Sequence, residues 1–173
     1  MNSNLQNFSI LGVDPGSRVT GFGLVRVVQG HIEHVSHGVI VMDVNANFSE
    51  RMLELGMAFR QLMEKYHPHH VSIEKIFLGK NADSAFKLGH ARGIIMYESK
   101  RDGAEVFEYA TRLVKKGVTG DGGSSKEQVQ VVLKALLRIN TINRLDASDA
   151  LAMACHHAYE IQKQQIVRRA IEI

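Results

Sequence analysis

The sequence predicts a mixed α/β fold in which helices flank one five-stranded sheet. Three segments rich in valine and isoleucine come first, helical and strand patterns then alternate, and two helical patterns follow. That order is typical of a sheet with three antiparallel strands to which later strands are added in parallel. With 173 residues, 45% of them hydrophobic, the chain is long enough for one well-packed domain, so residues 1–173 are expected to form a single domain.

The first three strands are separated by turns that contain glycine. The pair Gln29-Gly30 predicts a hairpin between the second and the third strand. After the first strand, the run Asp-Pro-Gly-Ser that begins at Asp14 has the composition of a type II turn, in which Gly16 would adopt a positive φ. We therefore expect a sharp bend just after Asp14. The predicted strands are Phe8 to Asp14, Gly21 to Val28 and Ile32 to Met42.

Helices and further strands are predicted from the periodicity of apolar residues. Between Phe48 and Tyr66 they recur at every third or fourth position, which indicates an amphipathic helix, with Ser49 as a candidate cap. The segment Gly117 to Ser125 contains four glycines and is expected to be the most flexible interior part. The remaining predicted elements are a strand from Val71 to Phe77, a helix from about Ala82 to Lys100, a strand near Val106 to Tyr109, and helices from about Ser125 to Arg138 and Asp146 to Lys163, with a polar and frayed tail after 163.

Charge and composition limit the classes of function. Lysine and arginine number 21 against 18 acidic residues, a net charge of +3 that favours polyanionic partners. The first seven residues lack the pattern of a signal peptide, and no apolar run approaches the roughly 20 residues of a membrane span. These features predict a soluble, cytoplasmic protein without a membrane partner.

Four carboxylates stand at positions that suggest a shared site. Asp14 ends the first strand, Glu74 follows the apolar residues of the fourth, and Asp146 and Asp149 open the last helix. An ionised carboxylate at the edge of an apolar sheet must be paired, hydrogen-bonded or bound to metal. If a right-handed crossover makes the first and fourth strands neighbours, the last helix can pack beside their ends. The four acids are then expected to bind two Mg²⁺ ions about 3.5 to 4 Å apart and to hydrolyse phosphodiesters.

Three of these acids also have simpler interpretations. Asp14 can accept a hydrogen bond within its turn, and Asp146 and Asp149 suit the start of a helix as N-cap and first-turn acid. Glu74 has no such role, because strand alternation places it with Ser72 on the face opposite the neighbouring apolar residues.

Several separated motifs stand in order along the chain: GVDPGSRVTG at 12–21, IEKIF at 73–77, KNADSA at 80–85, KLGHARG at 87–93, FEYA at 107–110 and DASDALA at 146–152. Together they resemble the bacterial RuvC family of Holliday junction resolvases, and the likeness runs from Phe8 to about His157. The resemblance implies an RNase H-like fold and a Mg²⁺-dependent endonuclease, with Mn²⁺ as a substitute. Such an enzyme cuts two strands of like polarity in a four-way DNA junction during homologous recombination and DNA repair. The resemblance also implies a homodimer and a branch-migration motor of RuvA and RuvB as partner.

Residue roles follow from the resemblance by position. The four acids match the catalytic and metal-binding acids of the family, and Phe77 matches an aromatic that the family uses against unstacked junction bases. Alternatively, Phe77 is the last core residue of its strand. Basic residues are expected to contact DNA, although each could be only a solvated surface charge; they are Lys115 and Lys126 near the scissile phosphate, Arg112 and Lys116 beside them, and Lys80, Lys87 and Arg92 along the backbone.

Gly89 and Gly93, one helical turn apart, expose backbone on one helix face. In the family a helix at this place contributes to the dimer interface, while the alternative is tight packing on the protein's own sheet. The histidines His67, His69 and His70 are interpreted as surface residues.

Two other functions compete with junction cleavage. The Asp-Pro-Gly run followed by Gly21 is also similar to the phosphate loop of ATP-binding actin and sugar-kinase-like domains, but no second such loop is present. A junction-binding module that does not cut DNA is the other alternative, and the four acids argue against it because negative charge opposes phosphate binding.

Overall fold

The computed structural model describes residues 7–75 and 82–171, and the described part contains five strands and five helices. The strands are β1 (Phe8–Asp14), β2 (Val19–Val28), β3 (His31–Val41), β4 (His70–Glu74) and β5 (Glu105–Tyr109). The helices are α1 (Phe48–Tyr66), α2 (Ala82–Arg101), α3 (Thr111–Thr119), α4 (Lys126–Leu137) and α5 (Leu145–Ile171). Within the described ranges, none of these helices is long and apolar enough to cross a bilayer.

The sheet has the strand order β3-β2-β1-β4-β5. The pairs β3–β2 and β2–β1 are antiparallel, whereas β1–β4 and β4–β5 are parallel. The predicted mixed five-stranded sheet is therefore confirmed. The hairpin between β2 and β3 turns through Gln29 and Gly30, whose φ angles of 50° and 84° both lie in the left-handed region that such a short turn requires.

Helices cover both faces of the sheet and divide the core into layers. Strand alternation sends Ile10 of β1 to the face covered by α3, α4 and α5, and it sends Leu11 and Val13 to the opposite face, which α1 and α2 cover. Asp14, which continues the alternation from Ile10, therefore lies on the α5 side of the sheet.

Glycines in β1 and β2 allow α5 to lie directly on the strands. A Cβ atom at Gly12 or Gly21 would overlap the carbonyl oxygen of Ala150 or Asp146, respectively. A Cβ atom at Gly23 would lie 2.7 Å from the Cα of Leu151. Because only glycine leaves this space, the first turns of α5 are held against the end of β1.

Helix α3 was not expected from the sequence, and it occupies part of the segment predicted to be most flexible. Its local signal is weak, since the N-cap residue Ala110 supplies no side-chain hydrogen bond. Packing compensates, because Val114 is buried in the core under α5. The helix ends at Gly120, which has a φ of 85°, and the hydroxyls of Thr119 and Ser124 are 2.7 Å apart in the loop that follows.

Smaller local predictions also differ from the structure. Gly16 does not have a positive φ; glycine is needed there because a Cβ would overlap the carbonyl oxygen of Val19. Asn47, not Ser49, caps α1, and it forms a capping box with Glu50. Finally, α5 continues past the expected end at Lys163 to Ile171.

Candidate active site

Asp14 and Glu74 lie side by side at one edge of the sheet. β1 and β4 are parallel neighbours in which Val13 pairs with Ile73, so the residues that follow these two end at the same edge. Both carboxylates line a cavity that Asp149 also lines. The neighbour relation expected from a right-handed crossover is therefore present.

Asp146 and Asp149 reach this edge through the contact of α5 with the glycines. Gly21 pairs with Asp14 across β1 and β2, and the main chain of Asp146 lies directly on Gly21. Asp149 follows one turn later on the same helix face. The structure thus brings the four predicted acids into one region, supplied by two strands and one helix.

The electrostatics of Asp14 show how close these charges are. Its pKa is raised to about 7, first because the carboxyl is buried and then because Asp149, Glu74 and Asp146 repel its negative form. The positive charge of Lys126 partly opposes this rise. A cluster of this kind favours a neutralising cation, and a set of oxygen ligands suits a hard divalent ion.

Two of the acids are held by protein partners. The Lys126 ammonium donates to Asp149 Oδ2 at 2.6 Å, a contact that raises the pKa of Lys126, and the Thr111 hydroxyl donates to Glu74 Oε1. In these orientations no three Asp, Glu, His or Cys side chains of residues 7–75 and 82–171 could hold a metal ion together. The negative charge and the oxygen ligands of the four acids fit a divalent cation. The side chains of Asp149 and Glu74, however, are oriented toward Lys126 and Thr111.

The predicted DNA contacts fall into different environments. Lys115 lines the cavity of the acids and donates to the Ser124 carbonyl at 2.8 Å, while Arg112 and Lys116 are exposed on α3. The other two described residues, Lys87 and Arg92, form ion pairs with acidic side chains. Lys87 pairs with an acid of its own helix, and Arg92, only 13% exposed, pairs with Glu108. Phe77 and Lys80 lie outside the described residues.

Gly89 and Gly93 do not pack on the protein's own sheet, so that alternative is wrong. A Cβ at either position would meet nothing within 4 Å. Both glycines line an open groove of about 730 Å³ between α1 and α2. Phe86 and Tyr97, which are 69% and 65% exposed, border the same groove.

Sequence reasoning missed a partly buried chain of hydrogen-bonded side chains that includes Tyr109, the strand partner of Glu74. The Tyr109 hydroxyl is 2.6 Å from His157 Nδ1, and His157 Nε2 is 3.1 Å from His70 Nδ1. The interpretation of His70 as a surface residue is therefore wrong. Thr111 was missed as well, because no helix was predicted at that place. In the sequence, its only signal is its position two residues after Tyr109, where the predicted strand ends.

The comparison with known families agrees with this geometry. The family described as "Crossover junction endodeoxyribonuclease RuvC" matches residues 10–157. The chain belongs to this family. A RuvC crossover junction endodeoxyribonuclease from Bdellovibrio bacteriovorus is 68% identical over 164 residues, which cover 95% of this chain and 98% of the relative.

Solved structures show the same RNase H-like fold at low sequence identity. Thermus thermophilus RuvC in complex with a Holliday junction substrate superposes with a TM-score of 0.84 at 24% identity, over 91% of this chain and 96% of that one. The yeast mitochondrial Holliday junction resolvase Ydc2 has a TM-score of 0.72 at 12% identity, over 94% and 84% of the two chains. Both likenesses concern the fold alone.

Proposed function

We propose that this protein is a Holliday junction resolvase, an endonuclease that cuts two strands of like polarity in a four-way DNA junction during recombination and repair. The observation that carries the proposal is the meeting of Asp14, Glu74, Asp146 and Asp149 at one edge of the sheet. Family membership favours this function over ATP binding and over a module that binds junctions without cutting them.

The proposal includes a requirement for Mg²⁺, with Mn²⁺ as a substitute and two ions in each site. The four acids would hold the metal, which supplies activation of a water and stabilisation of the leaving oxygen. This chain's part is to gather the acids and to keep the Asp14 carboxyl partly desolvated, which favours a cation near its ionised form. The raised pKa of Asp14 supports this part of the proposal.

Basic residues around the acids would position the DNA. We propose that Lys115 and Lys126 approach the scissile phosphate, since both already lie beside the four acids, and that the exposed Arg112 and Lys116 bind the flanking backbone. For Arg92 the proposal requires that Glu108 release it. Lys87, Lys80 and Phe77 stay predictions that rest on the family resemblance.

Paired cutting needs two active sites, and we propose a homodimer that supplies them. The groove lined by Gly89 and Gly93 supports this, because it lies between helices and exposes two large aromatic side chains. A branch-migration complex of RuvA and RuvB is proposed as partner on family membership alone. We also propose a cytoplasmic location, as expected for an enzyme that acts on chromosomal DNA.

A synthetic four-way junction tests the function directly. With Mg²⁺, the wild-type protein should introduce paired nicks, and Asp14→Asn should bind the junction yet cut at least about a thousandfold more slowly, since several kcal/mol of transition-state stabilisation depend on the metal site. Asp43→Asn, which changes an exposed acid that does not line the cavity of the four acids, is the matched control and should cut normally. Absence of cleavage by the wild type with Mg²⁺ and with Mn²⁺ would contradict the proposal.

A further inference from the structure

Glu74 differs from Asp149 in the kind of partner that holds it. Asp149 is paired with the charged ammonium of Lys126, which competes directly with any cation for that carboxylate. Glu74 instead accepts a hydrogen bond from the neutral Thr111 hydroxyl, at oxygen Oε1. A neutral donor fixes the orientation of a carboxylate without adding a positive charge, so Thr111 itself does not compete with a cation for Glu74.

The backbone places Thr111 against Glu74 with little freedom. Glu74 pairs with Tyr109 where β4 and β5 run in parallel, and the Lys75 N–H donates to the Tyr109 carbonyl at 2.8 Å. The Tyr109 side chain is itself anchored on His157 of α5. Thr111, two residues further along, begins α3 and therefore lies over the end of β4.

The Thr111 hydroxyl does not cap α3, the helix that Thr111 begins. The N-cap position belongs to Ala110, which makes no side-chain hydrogen bond, and Thr111 is the first residue inside α3. A hydroxyl has a single hydrogen to donate, and here it is given to Glu74. Thr111 also lines the cavity that Asp14, Glu74 and Asp149 share.

We propose that Thr111 is a positioning residue whose hydroxyl fixes Oε1 of Glu74, so that the other oxygen is presented to the divalent cation; this inference rests on the proposed metal-dependent function. A glutamate side chain without this partner would sample several rotamers and would lose part of that freedom each time it bound metal. Partners that orient a metal-binding carboxylate in this way commonly change metal affinity about 10- to 100-fold.

Two substitutions at Thr111 separate the hydroxyl from the shape of the side chain. Thr111→Val keeps the size and removes the donor, whereas Thr111→Ser keeps the donor. Mn²⁺ and Mg²⁺ binding without DNA would be measured by calorimetry, alongside the Mg²⁺ concentration that gives half-maximal junction cleavage. We expect Thr111→Val to weaken binding about tenfold or more and to raise the half-maximal Mg²⁺ concentration similarly, and Thr111→Ser to stay within about threefold of the wild type.

The exposed Thr141 offers a control, because Thr141→Val makes the same change outside the cavity and should leave metal binding unaltered. Thermal melting of the metal-free proteins detects a merely structural role. A lower melting temperature for Thr111→Val with unchanged metal affinity would overturn the inference, and so would an equal loss in the valine and serine variants. If the wild type itself binds neither ion, the metal-dependent function fails and this inference fails with it.

Discussion

Gly21 faces Asp14 across the β1–β2 pair and lies beneath the main chain of Asp146. This one contact links the acid that ends a strand to the acids that begin a helix. Gly21 supplies neither charge nor donor groups to the site. The distance between Asp14 and Asp146 nevertheless depends on the absence of a side chain at Gly21. Gly12 and Gly23 extend the same contact along α5.

Gly21→Ala should therefore damage both folding and cleavage. The added Cβ would push the start of α5 away from β1, and overpacking of this kind costs about 1 to 3 kcal/mol of unfolding free energy. We expect junction cleavage to fall more than tenfold because the acids move apart. Urea denaturation and the junction assay measure the two effects.

Gly56→Ala is the stability control for this change. Its new Cβ would lie 3.4 Å from Ile94 Cγ2 of α2, an ordinary van der Waals contact between the two helices, and should leave stability equal or raise it by up to about 1 kcal/mol. A Gly21→Ala protein as stable and as active as the wild type would show that α5 is not held by this contact.

Three elements are connected by hydrogen bonds among the buried and partly buried side chains of Tyr109 of β5, His157 of α5 and His70 of β4. His157 is only 1% exposed, and burial lowers its pKa to about 3. The spacing suits a neutral imidazole that accepts from the Tyr109 hydroxyl and donates to His70. These hydrogen bonds connect α5 to β4, the strand that carries Glu74, and to β5.

Lowering the pH should weaken this contact among β4, β5 and α5. The folded protein keeps His157 neutral down to a pH of about 3, whereas the unfolded chain takes up a proton below about 6.5. Stability contributed by His157 is therefore complete above about 6.5 and is lost as the pH falls toward 3, by up to about 1.4 kcal/mol per pH unit. Urea unfolding at several pH values between 4 and 7 measures this slope.

His157→Gln should flatten the slope, although it lowers stability at pH 7. His31→Gln, at an exposed position on β3, serves as the control and should keep the wild-type slope. If the His157→Gln and wild-type slopes coincide, the histidine is not the group responsible.

The groove between α1 and α2 is the surface on which the proposed dimer depends. The four acids lie at an edge of the sheet, on the α5 side, while the groove lies on the opposite layer of helices. A second copy bound in the groove would leave the acids of both copies open to DNA.

Phe86→Asp should weaken this dimer about tenfold or more, because it places a charge where an aromatic side chain would be buried. Val131→Asp, at a residue of α4 with a similar exposure of 67%, should not. Sedimentation equilibrium measures the association. A wild-type monomer, or an unchanged dimer in Phe86→Asp, would contradict the proposed interface.

The fold could be predicted largely from the sequence because its signals are local. The alternation of apolar residues in β1 and the helical spacing in α1 each depend on neighbouring residues, and both elements form as expected. Helix α3 could not be predicted in this way, since its cap makes no side-chain bond and its stability comes from packing against the core under α5.

Residue type and order were enough to predict the fold class and the family, and to single out the four acids as the proposed site. The contacts of Thr111 with Glu74 and of Lys126 with Asp149, and the open groove at Gly89 and Gly93, became known only from the folded structure. Each of these features depends on how segments far apart in the chain are arranged, and that arrangement arises only when strands pair and helices pack.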